Sequence, residues 1–501
     1  MDFLDPRKER RNRIVLFLSY GLIAIAIALT SRVLLYQTDG YCLDKTGEVD
    51  RCGLVFLSSQ PQPAEIRIDG KLQKAQTNTK INLRSGTYNV LVTKDGYRPW
   101  QRTIGVTGGD VQRFDYPFLF PKNLRTSLVT TIEGGASFAT QSPDKRWLIV
   151  GEGVPMTRVR VYDIKNPAKP TSTTVILSPT IVTPGEQSHA WFAVEWSDNN
   201  RHVLLSHAFT SAGNAAQEYI LFDRQTATPR NLTRELSLAP TDELRLFDKR
   251  PNQFFILSSQ TKVLRTISLS GEPPVALPIQ HVLAYKSYND DTVLYATDTL
   301  LDGTVLTGTV AVVLQQAGRT VELRRFPAGA SSYLLDIAQF AGNWYAFAGT
   351  NMSKGVHVFR NPFEAQLATP SKKPTAFRFL KMPQPTYASF STNTQFIAVT
   401  NGQNHRVYDI EYDNFYAYQT APPIDTPQQH PVWMDGDRLL YTSGGRLYVY
   451  DYDNLNAQQL QQALPDFPVF FDAEYGHMFS LQRSQDAVQL TVTPLTSEIQ
   501  R

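Results

Sequence analysis

The sequence predicts an all-β extracytoplasmic part, a small β-sandwich followed by a seven- or eight-bladed β-propeller, behind a single N-terminal transmembrane helix. Three observations lead to this prediction. An apolar run without charge or proline occupies residues 14–31. Short apolar strands and glycine-marked turns follow to about residue 121. Over residues 122–501 a turn-and-strand unit recurs at a spacing of roughly 40 to 55 residues, which is typical of propeller blades.

The apolar run is long enough to cross a membrane as a helix. At about 1.5 Å per residue it spans roughly 27 Å, close to the ~30 Å hydrocarbon core of a bilayer. A basic cluster precedes it: Arg7, Lys8, Arg10, Arg11 and Arg13. The positive-inside rule keeps such a cluster in the cytoplasm. We therefore expect a cytoplasmic tail (1–13), a helix in the cell membrane (14–36) and an extracytoplasmic remainder.

A cleaved signal peptide is the alternative interpretation of this segment. Ala26-Ile27-Ala28 has the small-x-small form of a cleavage site. However, the triplet lies inside the apolar run, and Leu29 and residues 33–35 continue it. This continuation favours an uncleaved signal-anchor. Both interpretations place the remaining chain outside the cytoplasm.

Composition and charge disfavour one class of partner. The 501-residue chain has a net charge of +3 and no Lys/Arg stripe beyond its N-terminal tail, so nucleic-acid binding is poorly supported. Aromatic residues are plentiful, with 23 Tyr and 27 Phe, as in proteins rich in strands. Few windows after residue 36 show helical periodicity, and the best of them covers 454–464.

The only two cysteines, Cys42 and Cys52, lie just beyond the apolar run. Outside the cytosol we expect a disulfide between them, within a juxtamembrane loop over residues 37–53. The alternative is a pair of free thiols in that segment. Two cysteines without nearby histidines fall short of a zinc ligand set.

Residues 54–121 predict a set of short strands, because apolar and polar residues alternate there. Asp69-Gly70 and Asp95-Gly96 mark tight turns, since glycine tolerates positive φ. The predicted strands cover 55–57, 64–68, 80–83, 87–92, 100–106 and 111–118.

The same segment resembles the PEGA domain. The resemblance rests on Pro61, Ala64, Ile66, Ile68, Asp69, Gly70, Leu83, Gly86, Tyr88, Val90, Val92, Gly96 and Tyr97. The tetrapeptide that names the family is absent. The resemblance implies a small β-sandwich of a prokaryotic envelope protein that binds surface-layer or cell-wall components. An exposed aromatic pair can stack on a sugar, so Tyr97 and Trp100 are candidates for ligand stacking; the alternative is that both pack in the core.

Eight units make up the predicted propeller. In the strong copies a polar turn precedes an apolar strand, and a second strand ends in an apolar-aromatic-Asp triplet. Strong copies cover 142–163, 196–223, 390–409 and 433–451, and weaker ones cover 250–257, 289–295, 341–347 and 473–481. The units resemble WD-repeat and TolB-like blades. The count stays at seven or eight, because one unit can be shared between the chain ends.

Two residue types in these units have structural interpretations. We expect each closing aspartate to cap a turn by accepting backbone N–H bonds. We expect the turn tryptophans to pack between blades rather than to bind a ligand. They are Trp147, Trp196, Trp344 and Trp433.

A search for catalytic motifs finds no Gly-x-Ser-x-Gly elbow, no His-Glu-x-x-His and no phosphate-binding glycine loop. The eight histidines are scattered. Two acidic clusters have the oxygen ligands that suit calcium but lack an EF-hand glycine and distal glutamate. They comprise Asp409, Glu411, Asp413 and Asn414, and Asp451, Asp453 and Asn454. We therefore predict no catalytic, cofactor-binding or metal-binding residues.

The preferred function is binding: a membrane-anchored scaffold that contacts cell-wall polymer, surface-layer components or envelope proteins. One alternative is an enzyme, for example one that cleaves glycans with two carboxylates at the mouth of the propeller channel. A cluster of inward acids or histidines would favour the enzyme, and a mixed lining would favour the scaffold. A further alternative is a sensor subunit, which would need a partner because the predicted cytoplasmic tail is short.

Overall fold

The computed structural model describes residues 6–38, 41–43, 49–184, 187–271, 277–300, 302–364, 373–425, 429–485 and 487–496. It has two compact units. One comprises Met1–Asn123 with Thr496–Arg501, and the other comprises Leu124–Leu495. The predicted boundary between sandwich and propeller lies after residue 121.

The N-terminal helix α1 spans Pro6–Thr38. Its segment Ile14–Arg32 is long and apolar enough to cross a membrane. The side chains of this segment are all exposed, so they are not part of a protein core. A run of exposed aliphatic side chains of this length is what a lipid-facing helix requires.

The first unit contains a two-sheet β-sandwich. Its strands are β1 (Tyr41–Leu43), β2 (Val49–Leu57), β3 (Glu65–Ile68), β4 (Lys71–Gln76), β5 (Thr79–Arg84), β6 (Gly86–Thr93), β7 (Trp100–Val106) and β8 (Val111–Phe114). One sheet has the order β1-β2-β5, with β8 parallel to β2, and the other has the order β4-β3-β6-β7. Residues from both sheets share one buried core, which includes Val55, Ile66, Val92 and Trp100. Asp69 and Gly70 have positive φ at the predicted β3–β4 turn.

The second unit begins with β9 (Ser127–Ile132) and continues through a series of separate antiparallel sheets. Blade 1 contains β10 (Ala136–Gln141), β11 (Trp147–Glu152), β12 (Arg158–Asp163) and β13 (Thr171–Ile176). Blade 2 contains β14 (Gln187–Trp196), β15 (His202–Ser211), β16 (Asn214–Asp223) and β17 (Thr228–Asn231), and the short helix α2 (Leu232–Glu235) follows it. Blade 3 contains β18 (Glu243–Phe247), β19 (Arg250–Ser258) and β20 (Val263–Ser268).

Three further blades have the same strand order. Blade 4 contains β21 (Val282–Ser287), β22 (Thr292–Thr297), β23 (Thr309–Gln316) and β24 (Arg319–Pro327). Blade 5 contains β25 (Tyr333–Phe340), β26 (Asn343–Thr350), β27 (Gly355–Arg360) and β28 (Arg378–Lys381). Blade 6 contains β29 (Tyr387–Phe390), β30 (Phe396–Asn401), β31 (Asn404–Asp409) and β32 (Asn414–Gln419).

The last two blades complete the ring. Blade 7 contains β33 (Val432–Trp433), β34 (Arg438–Ser443), β35 (Arg446–Asp451) and β36 (Gln458–Gln462). Blade 8 contains β37 (Phe470–Phe471), β38 (His477–Ser484) and β39 (Ala487–Pro494). Its outer strand is β9, which pairs with β39 through Ile132 and Val488. The described residues thus form eight blades, and both ends of the unit share the last of them, which confirms the predicted fold class.

The first strand of each blade lies toward the centre of the ring. First strands of neighbouring blades contact one another, as in the pairs β10 and β14, β14 and β18, and β25 and β29. Two of the turn tryptophans reinforce these contacts across blades. Trp196 donates to the Thr140 hydroxyl of blade 1 (3.0 Å), and Trp433 donates to the Ser389 hydroxyl of blade 6 (3.1 Å). For these two residues the packing interpretation is confirmed.

The repeated turns are held by side-chain hydrogen bonds to the backbone. In three blades the turn serine accepts from the N–H that starts the next strand: Ser142 from Trp147 (3.0 Å), Ser197 from His202 (2.9 Å) and Ser391 from Phe396 (3.0 Å). The closing aspartates also accept backbone N–H bonds: Asp163 from Lys165 (2.9 Å), Asp223 from Gln225 (2.9 Å) and Asp409 from Glu411 (3.0 Å). The predicted capping role of these aspartates is confirmed.

Residues 454–464, which show the best helical periodicity after residue 36, do not form a helix. Asn454 and Asn456 have positive φ values of 68° and 53° in a turn, and β36 follows them. An outer strand has apolar packing on few of its positions, so it lacks the alternation that would have revealed it. The helix α2 was not predicted; Asn231 caps it by accepting from the Arg234 N–H.

Candidate functional site

The two cysteines lie on the paired strands β1 and β2. Their sulfurs are joined in the structure, with a Cα–Cα distance of 5.7 Å that is ordinary for a disulfide. Cys42 faces Asp50 across the β1–β2 ladder, and Cys52 begins the pairing of β2 with β5. A bond here ties the short strand β1 to the sandwich.

Tyr97 and Trp100 do not form an exposed stacking pair. Their side chains are 2% and 1% exposed, and both belong to the sandwich core. Trp100 packs edge-on against Tyr116, with ring centroids 5.8 Å apart, and lies near Phe114. A ring face that is covered on folding is not available to a sugar, so the stacking interpretation is corrected in favour of core packing.

A cleft on the sandwich lies beside these aromatic residues. It has a volume of about 420 Å³. Its apolar walls come from Pro63, Ala64, Tyr97 and Pro99, and its polar lining comes from Glu65, Gln76, Thr93, Lys94, Asp95 and Lys122. Carboxylate and amide oxygens accept hydrogen bonds from hydroxyl groups, and proline rings offer flat C–H surfaces. This combination suits a polar ligand with apolar faces, such as a saccharide.

Lys94 fixes one wall of this cleft. Its ammonium donates to the backbone carbonyls of Gln62 (3.1 Å) and Pro63 (2.8 Å) in the loop before β3. Burial lowers the pKa of Lys94 below its ordinary value. Since an ammonium has three donors, one remains beyond these two bonds. This contact could not be predicted, because it joins two loops that are separated by about thirty residues in the chain.

The first strands of blades 2 to 5 bring charges of both signs to the inner side of the ring. Arg245 pairs with Glu243 (2.8 Å), and Lys286 pairs with Asp336 across two blades (3.6 Å). Glu195 accepts from the Leu246 N–H (2.5 Å). Burial raises the pKa of both Glu195 and Asp336. The inner side of the ring at these blades therefore carries a mixture of acidic and basic side chains.

The acidic residues considered for calcium are engaged in turns. Asp409 accepts from the N–H groups of Glu411 (3.0 Å) and Tyr412 (3.2 Å), and Asp413 pairs with Arg378. In the second cluster, Asp451 accepts from the Asn456 side chain (2.8 Å). Among the described residues, no group of three or more His, Cys, Asp or Glu side chains is arranged to hold a metal ion.

A more strongly buried acidic cluster lies at the turn that precedes β34. Arg438 is 8% exposed, and its guanidinium bonds to the Asp435 carboxylate through Nε (2.9 Å) and Nη2 (2.5 Å). Burial, which outweighs the attraction of Arg438, raises the pKa of Asp437 to about 7. Burial also raises the pKa of Asp409 to about 6. Arg438 thus attracts the carboxyl groups of Asp435, Asp437 and Asp451 in a poorly solvated region.

We expect this cluster to make stability depend on pH. Asp437 has a pKa of about 7 in the folded protein, against about 3.9 in an unfolded chain. Between these values the folded state holds a proton that the unfolded state has released, so the free energy of unfolding falls as pH rises. Asp437→Asn should reduce this slope and raise the melting temperature at pH 8. Melting curves at several pH values test it; an unchanged slope would contradict it.

Blade 2 contains a buried chain of three hydrogen-bonded side chains, which we call the blade 2 relay: Glu218, His207 and His189. His207 Nδ1 lies 2.9 Å from Glu218 Oε1, and His207 Nε2 lies 2.9 Å from His189 Nδ1. His207 is 0% exposed, Glu218 is 2% exposed, and His189 is partly exposed. His207 pairs with Glu218 across β15 and β16. This cross-strand register is not visible in the sequence, so no partner could be predicted for the histidine.

The carboxylate of the relay is fully hydrogen-bonded. Glu218 accepts from the Thr183 N–H (2.8 Å), the Thr183 hydroxyl (2.8 Å) and the Asn231 amide (2.8 Å), as well as from His207. Burial alone would raise the pKa of Glu218, but these hydrogen bonds outweigh it and lower the pKa. Trp191 and Phe209 stack on the His207 ring, with centroids 4.3 Å and 4.8 Å away.

Comparison with solved structures finds similarity at low sequence identity. An oligogalacturonate lyase in complex with manganese is 9% identical and covers 76% of this chain and 100% of its own, with a TM-score of 0.41. The Dos1 propeller is 11% identical and covers 74% and 95%, with a TM-score of 0.40. Apo AztD from Citrobacter koseri is 13% identical and covers 80% and 95%, with a TM-score of 0.36. Likenesses this distant carry no argument about activity.

Comparison with protein families and curated sequences gives one match. No curated protein sequence matches the chain. The PEGA domain matches residues 52–119. The matched segment includes all the lining residues of the cleft except Lys122. The sandwich of this chain is therefore similar to the PEGA domain, as its sequence motifs suggested.

Proposed function

We propose that the chain is a membrane-anchored binding and scaffold protein of the cell envelope, in which the sandwich cleft holds a wall polymer or surface-layer component. The cleft on the PEGA-like sandwich carries this proposal. It combines hydroxyl-binding oxygens with apolar proline faces, which is the chemistry of a saccharide site. In this proposal α1 crosses the membrane with its N-terminus in the cytoplasm.

The mixed charges on the inner strands favour a scaffold over a glycan-cleaving enzyme. Glycoside cleavage needs two carboxyl groups about 5 to 10 Å apart on either side of the bond. Glu243 is instead paired with Arg245, and Asp336 is paired with Lys286. We therefore propose that the propeller presents its loops to partner proteins and that the sandwich supplies the glycan contact.

A binding assay with the full chain in detergent micelles tests the cleft. The parent should be retained on isolated wall polymer or on surface-layer protein, assayed separately. The double variant Glu65→Gln/Asp95→Asn removes both cleft carboxylates and should weaken retention at least tenfold, since hydrogen bonds to charged groups contribute about 1.5–3 kcal/mol each.

Asp115→Asn is the matched control, because Asp115 is an exposed carboxylate of the same sandwich outside the cleft. It should bind as the parent does. Equal retention of the double variant and the parent would exclude the cleft as the site. Failure of the parent to bind either fraction would overturn the proposed function itself.

A further inference from the structure

The blade 2 relay fixes the tautomer of both its histidines. The ionised Glu218 carboxylate can only accept, so His207 must carry its proton on Nδ1. A neutral His207 then accepts at Nε2, and His189 must donate from Nδ1. This leaves the lone pair on Nε2 of His189. His189 is partly exposed, so the relay ends at a residue that solvent reaches.

We propose that His189 is a general base for ester hydrolysis, with His207 and Glu218 as positioning residues. Its Nε2 takes a proton from water while the water oxygen bonds to the ester carbonyl carbon. The π electron pair of the carbonyl moves onto its oxygen, which gives a tetrahedral intermediate. The Nδ1 proton of His189 moves to His207 Nε2, and the resulting imidazolium is stabilised by the Glu218 carboxylate. This is the role that a carboxylate behind a catalytic imidazole has in general.

Collapse of the tetrahedral intermediate completes the reaction. The oxyanion re-forms the carbonyl double bond as the bond between the carbonyl carbon and the leaving oxygen breaks, and the leaving oxygen takes the proton from His189 Nε2 to become the alcohol. The Nδ1 proton returns from His207 to His189. The products are a carboxylic acid and an alcohol, and the relay is back in its starting state without any further reactant.

The relay favours esters over glycosides. Glycoside cleavage needs two carboxyl groups that contact the bond. The only carboxylate of the relay, Glu218, is 2% exposed and lies behind His207. In ester hydrolysis, by contrast, the proton transfers are the removal of a proton from water and its delivery to the leaving alcohol. One imidazole can provide both.

Hydrolysis of 4-nitrophenyl acetate by the full chain in detergent micelles tests this inference. His189→Gln should lower the rate by at least roughly a hundredfold, the lower end of the range that general-base catalysis supplies. His281→Gln is the matched control, because His281 lies directly before β21 of blade 4 and its side chain is 52% exposed. It should leave the rate unchanged. Equal rates for the two variants would overturn the proposal.

The positioning residues have a separate readout. His207→Phe keeps the aromatic stack but removes both hydrogen bonds, so the rate should fall and nitrogen NMR should show that His189 no longer holds a fixed Nδ1–H tautomer. A merely structural role of His207 would leave the tautomer of His189 unchanged, which would overturn the relay. Nitrogen NMR of labelled histidines in the parent needs no variant. It should show the Nδ1–H tautomer for His189, and an Nε2–H tautomer would contradict the proposal.

Discussion

Arg438→Met is expected to lower the free energy of unfolding by about 3–5 kcal/mol, the cost of removing one partner from a buried ion pair. Arg438 is 8% exposed, and its guanidinium forms two hydrogen bonds to Asp435. Its removal takes away the cation that attracts Asp435, Asp437 and Asp451 in a poorly solvated turn. Methionine fills similar space but cannot neutralise them. The midpoint of chemical denaturation measures the loss.

Arg446→Met is the matched control for this change. Arg446 lies on β35 of the same blade and is exposed, so its loss should alter the stability by less than about 0.5 kcal/mol. The effect of Arg438→Met should be smaller at pH 5 than at pH 8, because Asp437 is largely protonated below its pKa of about 7 and then needs no cation beside it. A loss of equal size in both variants, or one independent of pH, would show that charge compensation is not what Arg438 provides.

Glu152→Gln is expected to cost about 3 kcal/mol by weakening the closure of the ring. Glu152 is 0% exposed and lies 2.9 Å from Arg160 and 3.6 Å from Arg158. Arg160 also donates to the Thr130 hydroxyl of β9 (2.9 Å), so the glutamate anchors a contact to the closing strand. This loss of stability is at the lower end of the range for breaking a buried ion pair, because the Arg158 side chain is 31% exposed.

Glu133→Gln provides the comparison for Glu152→Gln. Glu133 pairs with the same Arg158 at 3.0 Å, but its side chain is 70% exposed. Exposed pairs contribute about 0–1 kcal/mol, so its denaturation midpoint should stay near that of the parent. If Glu152→Gln were as mild as Glu133→Gln, the buried carboxylate would not hold the closing strand.

The sequence predicts the propeller well because its signals are local. The turn serine Ser142 and the closing aspartate Asp163 act within one blade, a few residues from the strands they bound. Such turns recur in the same form along the chain, so even weak copies can be placed. The same reasoning predicts the β3–β4 hairpin from Asp69-Gly70.

The functional contacts depend on register and on distant loops, which the sequence does not show. Glu218 meets His207 because β15 and β16 pair in one register, and His189 reaches them beside an irregularity in β14. Lys94 meets Pro63 through the packing of two loops. Whether Trp100 is buried could not be decided from the sequence for a similar reason. An aromatic ring suits a protein core and a sugar site equally well, and only its neighbours in the fold show that it is buried.

The sharing of blade 8 between β9 and β39 also affects how the ring assembles during synthesis. The ribosome makes β9 before every other strand of the propeller and makes β39 last. Pairings between strands so far apart in the chain form slowly, because a long loop must close before they do. Until then each of these two strands presents an unpaired edge that can join another molecule. A nascent or truncated chain is therefore the form most prone to aggregate, and a chaperone that covers strand edges would be most useful during that interval.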